Sequence, residues 1–152
     1  MPSARLTEVF WPSTQSRGND LLVRWVRGKR MRTTDGALAE ISAALQFEWF
    51  FGWNWNAARD CLRNLQWQQH EKFLLLVFDA DQMLTDAPAT EFSTFVHLMD
   101  TVALEMSEPY QQSWTEIRPP KILHTLLQVP VDEGGNLRQR LFATGIDAPL
   151  FT

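Results

Sequence analysis

The sequence has little of what most small enzymes and secreted proteins are built from. It contains one cysteine, Cys61, which excludes an internal disulfide framework and any zinc site made of paired thiolates. A reducing compartment fits a chain of this kind. No apolar run approaches the ~20 residues that cross a bilayer, and Met1 to Phe10 lacks the continuous apolar core of a secretory leader. The expectation is a soluble cytoplasmic protein that does not associate with membranes. There is no glycine-rich phosphate loop, no nucleophile-elbow serine and no HExxH motif. His70, His97 and His124 do not share a metal-ligand spacing, and Cys61 has no base near it in sequence. Neither a metal site nor a thiol nucleophile nor any cofactor is expected.

Apolar residues make up 45% of the 152 residues and charged residues 21%, the composition of one folded domain with a real core rather than a disordered chain. The net charge of −4 is unevenly spread. Residues 1–35 hold seven basic residues against three acidic ones, whereas residues 48–100 hold eight acidic residues against three basic. An acidic middle beside aromatics repels phosphates and attracts basic proteins, so no nucleic-acid binding is expected despite the Arg24 to Arg32 cluster.

Along the chain, a loop rich in Pro, Ser, Gly and Asn (Pro12 to Asp20) precedes an apolar strand at Leu21 to Val26. Thr33, Thr34 and Asp35 give helix start signals before Leu38, Ile41, Ala44 and Leu45. A second helix is expected from Asn54 to Leu65. The continuous apolar run Phe73 to Phe78 reads as a strand covered on both faces, as in a parallel sheet. Pro88 opens a long helix through Met106, Pro109 to Pro120 is expected as a loop, Ile122 to Val129 as a last strand, and Leu137 to Ala143 as a short helix. This order implies an α/β fold, a small parallel sheet packed with helices. The expected organisation is an N-terminal extension at 1–19, one domain at 20–129 and a C-terminal extension at 130–152.

The segment Phe47 to Trp67 is the richest in information, with four of the seven tryptophans. On a helix at ~100° per residue, Trp55, Ala58, Cys61, Leu62 and Leu65 share one side, which must be the buried one. Asn56, Asp60, Arg63, Asn64 and Trp67 share the opposite stripe, continued upstream by Phe50 or Trp53. A carboxylate among aromatics and amides is the composition of an interface centre. The plain alternative is that the aromatics are core and Asp60 a solvated helix residue.

The residues Phe51, Gly52, Asn54, Trp55, Ala57, Asp60, Cys61, Leu62 and Leu65, followed by Trp67, resemble the signature of the barstar family of ribonuclease inhibitors. The resemblance covers roughly residues 20–128. It implies a three-stranded parallel sheet with helices, and a surface that occludes the active site of a secreted bacterial ribonuclease. The stripe and the resemblance together give the partner-binding residues as Phe50, Trp53, Asn54, Trp55, Asn56, Arg59, Asp60, Arg63, Asn64, Trp67 and Asp100. Asp60 matches the aspartate that mimics substrate phosphate, and Phe50 the aromatic near the target's catalytic histidine. Asn56 stands where the family has a first aspartate, Arg59 where it has a tryptophan, and Asp100 matches a later carboxylate. These departures remove about two units of negative charge from the face. The implied partner is a basic secreted nuclease or toxin bound by a free monomer.

Two other readings compete. One takes the chain as a barstar-like module for a non-nuclease protein. Alternatively, Leu74 to Leu84 ends an apolar strand in Asp79-x-Asp81, resembling the first motif of Mg²⁺-dependent haloacid-dehalogenase-type phosphatases. Gln82 replaces the usual glycine there and no downstream acidic pair ends another strand, so no enzyme activity is expected and the two aspartates are read as a turn or cap. His97 and Asp100, three apart on one helix, are read as a solvated surface pair.

Overall fold

A computed structural model describes residues 21–65, 69–111 and 113–149. Three parallel strands, β1 (Leu21–Arg27), β2 (Lys72–Phe78) and β5 (Ile122–Leu127), form a sheet in the order β1-β2-β5. Around it lie α1 (Thr34–Leu45), α2 (Trp55–Asn64), α3 (Ala89–Ser107) and α4 (Gly134–Thr144). The expected α/β fold with a small three-stranded parallel sheet is what the structure shows. The strand order progresses without reversal, so right-handed crossovers put the helices on one face of the sheet. The core follows that geometry. Val26, Phe73, Leu75, Val77 and Leu123 of the sheet join Leu38, Ile41 and Leu45 of α1, Ala58 and Leu62 of α2, and Phe92, Phe95, Val102 and Met106 of α3.

Local signals explain the elements. The Thr33 hydroxyl accepts from the Gly36 N–H at 3.1 Å and caps α1. Pro88 precedes α3, where its missing N–H is no loss. Gly28 follows β1 because a side chain has no room there: a Cβ would lie 2.1 Å from the Asp79 carbonyl oxygen. The two strand ends can meet only across a glycine.

The segment expected as a loop differs in detail. Tyr110–Gln111 (β3) and Ile117–Arg118 (β4) pair antiparallel around a turn in which the Ser113 hydroxyl accepts from the N–H groups of Thr115 and Glu116. Arg118, 3% exposed, fixes this hairpin by donating to the carbonyls of Met106, Glu105 and Glu108 at the end of α3. The last helix is longer than expected, running Gly134–Thr144 to a left-handed Gly145. Its Leu137 joins the common core, and Arg140 lies 4.0 Å over the Phe92 ring and donates to the Met83 carbonyl.

Candidate functional site

Residues 47–54 form an aromatic turn that leads into α2. Phe51 is the inward ring, 6% exposed and edge-on to Phe47 at 5.2 Å. Trp49, Phe50 and Trp53 are turned outward, exposed by 92%, 65% and 56%. Trp53 has φ 52°, a conformation a tryptophan adopts at a cost of about 1–2 kcal/mol. Asn54 then starts the helix. Its Oδ1 accepts from the Ala57 N–H at 2.8 Å and its Nδ2 donates to the Gly52 carbonyl at 3.0 Å. Asn54 is therefore the cap that sets the helix direction.

The two sides of α2 are those the spacing implies over its first two turns, whereas Arg63 and Asn64 of the outer stripe are half-buried. Ala58, Leu62 and the terminal Leu65 are buried, while Asn56 and Asp60 are exposed. Trp55 faces α3: its indole N–H donates to Glu91 Oε2 at 2.7 Å and its ring lies 6.1 Å from Phe95. Arg59 reaches α3 as well, where it forms an ion pair with Glu105. Glu91 and Glu105 are thus the α3 carboxylates joined to α2, and Asp100 stands exposed on that helix. The Arg59 charge that sequence adds beside Asp60 is neutralised by this pair.

Asp60 carries the other charge of the face. Its side chain is 70% exposed, and Oδ1 accepts from Arg63 at 2.9 Å, one turn on. The Arg63 guanidinium lies 5.0 Å over the Tyr110 ring and Arg118 approaches the same ring at 5.8 Å. Asn64 is half-buried at the end of the helix. The helix stops at Leu65, whose left-handed backbone is held by the buried Lys121 Nζ donating to its carbonyl at 3.2 Å. Burial, followed by Arg118 nearby, pushes the Lys121 ammonium below its ordinary range. Trp67 lies outside the described residues.

Sequence reasoning missed Trp49, Glu105, Tyr110 and Lys121. Arg59 and Glu105 are 46 positions apart, and no local pattern announces such a pair. Cys61 is half-buried, and burial followed by Glu48 and Asp60 raises its thiol pKa, which disfavours the reactive thiolate.

The carboxyl end of β2 is built differently. Asp79 has φ 49° and starts a single 3-10 turn, Ala80–Gln82. Its N–H donates to Gln128 Oε1 at 3.2 Å and its carboxylate is 3.7 Å from Lys29 Nζ. The carbonyls of Asp81 and Met83 receive Arg140. Among the described residues no group of three His, Cys, Asp or Glu side chains is placed to hold a metal ion, and no helix is long and apolar enough to cross a membrane.

No individual curated protein matches the chain. The family model described as Barstar (barnase inhibitor) matches residues 21–118, from the first residue of β1 to the end of the hairpin. That match spans well over half of the sequence, and with the three-stranded parallel sheet and the capped α2 it shows that the chain belongs to the barstar family.

Proposed function

We propose that the protein is a cytoplasmic inhibitor, not an enzyme, that occludes the active site of a basic bacterial ribonuclease or related toxin in a one-to-one complex. The observation that carries this reading is the face of α2: a carboxylate, Asp60, held out at 70% side-chain exposure on a helix entered through the outward rings of Phe50 and Trp53. Aromatic rings supply buried contact area at a protein interface, and a carboxylate among them takes the place of a phosphate in a cationic subsite. In this mechanism Asn56, Asp60 and Arg63 meet the target's polar groups, the aromatic turn fills its groove, and Asn54 and Trp55 hold the helix in place. Asn64, from the helical stripe, and Asp100, by family correspondence, belong to the same proposed surface.

The test is RNA hydrolysis by barnase and other basic bacterial ribonucleases with and without the protein. Stoichiometric inhibition that Asp60→Ala abolishes is the expected result. No inhibition across the panel, together with Mg²⁺-dependent hydrolysis of p-nitrophenyl phosphate lost in Asp79→Asn, would reverse the reading.

One observation favours the second reading, a non-nuclease protein partner. The charges of the face are paired with one another, Arg59 with Glu105 and Asp60 with Arg63. A surface neutralised in this way steers a strongly basic partner less than a purely acidic one does. A complex whose association rate is insensitive to salt points to that partner class.

A further inference from the structure

The β3–β4 hairpin is tied down at its base and free at its tip. Tyr110 and Arg118 stand opposite each other in the register, as do Gln111 and Ile117, and alternation along the strands turns the two pairs to opposite sides. The first pair faces the body of the protein. Arg118 is buried and donates to the last carbonyls of α3, while the Tyr110 ring is approached by Arg118 and by Arg63 of α2. The turn is closed by its own hydrogen bonds: the Ser113 N–H donates to the Glu116 carbonyl at 3.2 Å, and the Ser113 hydroxyl accepts from the N–H groups of Thr115 and Glu116. Ser113 to Ile117 are all exposed, and none of them joins the core. Trp114 is fully in solvent and Ile117 62% exposed. An ordered turn thus holds out about 150–250 Å² of tryptophan surface that folding does not use.

Position, charge and chemistry identify what meets this tip. Asp60, Arg63 and Tyr110 form one chain of contacts, 2.9 Å and then 5.0 Å, so the hairpin adjoins the last turn of α2 just as the aromatic turn adjoins its first. The tip lies three or four residues beyond Tyr110, about 10–13 Å. A standard interface of about 800 Å² per partner is roughly 30 Å across and spans both Asp60 and the tip. The charges of α2 cancel, Arg59 with Glu105 and Asp60 with Arg63. On the hairpin, Glu108 and Glu116 are exposed and have no ion pair among the described residues, and the cation of Arg118 is buried. The negative charge beside the α2 face therefore stands on the hairpin. A basic surface complements it, whereas a second copy of this chain would bring like charges together. Tryptophan, for its part, is among the residues that most often carry the energy of an interface.

We infer that the β3–β4 hairpin is a second arm of the recognition surface, with Trp114 packing on the target beside its active-site groove and Glu108 and Glu116 meeting basic side chains there. The inference rests on the reading of α2 as an inhibitory face for a basic ribonuclease. It supplies the negative charge that Asn56 and the Arg59–Glu105 pair leave α2 without.

The test uses the full-length protein with barnase and other basic bacterial ribonucleases, and compares wild type with Trp114→Ala, Glu108→Gln/Glu116→Gln and Asp60→Ala. Melting temperature, sedimentation, and association and dissociation rates at low and high salt are measured for each. The expected result is a monomer whose melting temperature neither hairpin variant changes. Trp114→Ala should raise the dissociation rate about tenfold or more. The glutamine variant should slow association several-fold at low salt and have little effect at high salt. Wild-type rates in both hairpin variants, for a complex that Asp60→Ala abolishes, would put the hairpin outside the interface and overturn the inference while the reading of α2 stands. A wild type that binds no ribonuclease of the panel would overturn both. A melting temperature lowered by Trp114→Ala would show that the ring holds the turn, and a wild-type dimer that Trp114→Ala dissociates would show that a second copy covers it; either result overturns the role given to Trp114.

Discussion

Asp60 on α2 and Asp79 at the end of β2 both invite a functional reading from sequence, and the fold treats them in opposite ways. Asp60 stands on a helix surface with its carboxylate in solvent, and among the described residues the side chain ion-paired to it is an arginine of its own helix. Asp79 is half-buried where the ends of the three strands converge. Gly28 approaches its carbonyl, Gln128 accepts from its N–H, and a 3-10 turn begins on its left-handed backbone. A partner reaches Asp60 without moving the protein, whereas the surroundings of Asp79 serve to join the ends of the three strands. The Asp79-x-Asp81 pair lies in a 3-10 turn, in keeping with its reading as a turn, and under the proposed function the face of α2 is the recognition surface.

The comparison breaks most visibly at Asp60. Asp60→Ala leaves the core untouched, so its stability stays within roughly 0.5 kcal/mol of wild type. In a complex the same change strands a buried cation of the target, a loss of about 2–5 kcal/mol of affinity. Asn56→Asp acts in the opposite direction and raises the association rate with a basic target, most at low salt. Thermal melting and surface plasmon resonance separate the two effects. A melting temperature that falls with Asp60→Ala would mean that the carboxylate is structural, as Asp79 is.

The reverse case is Gly28→Ala, far from the α2 face. The added methyl would have to displace the Asp79 carbonyl, and overpacking of this kind costs about 1–3 kcal/mol. Urea unfolding should show the loss, and target binding by the folded fraction should be unchanged. A binding defect in folded Gly28→Ala protein would tie the sheet end to the recognition surface.

Much of this division was legible in the sequence because it rests on periodicity and short-range chemistry. The helical stripe placed Asp60 outside and Leu62 inside, Thr33 and Asn54 announced helix starts, and the apolar run ending at Phe78 marked the central strand. That same run reads as covered on both faces, and Phe73, Leu74, Leu75 and Val77 are buried while Leu76 and Phe78 are partly so. The contacts that shape the site were illegible because they join distant positions. Glu105 answers Arg59, Tyr110 lies beneath Arg63, and Lys121 holds the end of α2. Each depends on how α2 packs on α3 and on where the hairpin folds back, which no local pattern records.

Between the two regions in expected effect lies the cap. Asn54→Ala removes the hydrogen bonds to Ala57 and Gly52, at a cost of about 0.5–2 kcal/mol. Because Asn54 also sets how the aromatic turn enters α2, affinity should fall by more than stability alone accounts for. Asn54→Asp, which keeps an acceptor for the Ala57 N–H, should restore most of both. Rescue of stability without rescue of affinity would place Asn54 in direct contact with the partner.

The smallest effect concerns pH and a third carboxylate, on neither surface. Glu40 of α1 accepts from the Arg27 side chain at 2.6 Å, and this bond holds its carboxyl below the usual 4.5 against the opposing effect of partial burial. A depressed carboxylate stabilises the fold at pH above its unfolded pKa, and that contribution disappears as pH falls through the lower, folded value. With the Arg27 side chain 63% exposed, solvent screening limits the contribution to a few tenths of a kcal/mol. Glu40→Gln should therefore be slightly less stable than wild type at neutral pH, and the gap should close as pH falls below about 4.5. Parallel urea titrations of the two proteins across that range measure it. A gap that stays constant into acid would mean that Glu40 contributes through packing against β1 rather than through its charge.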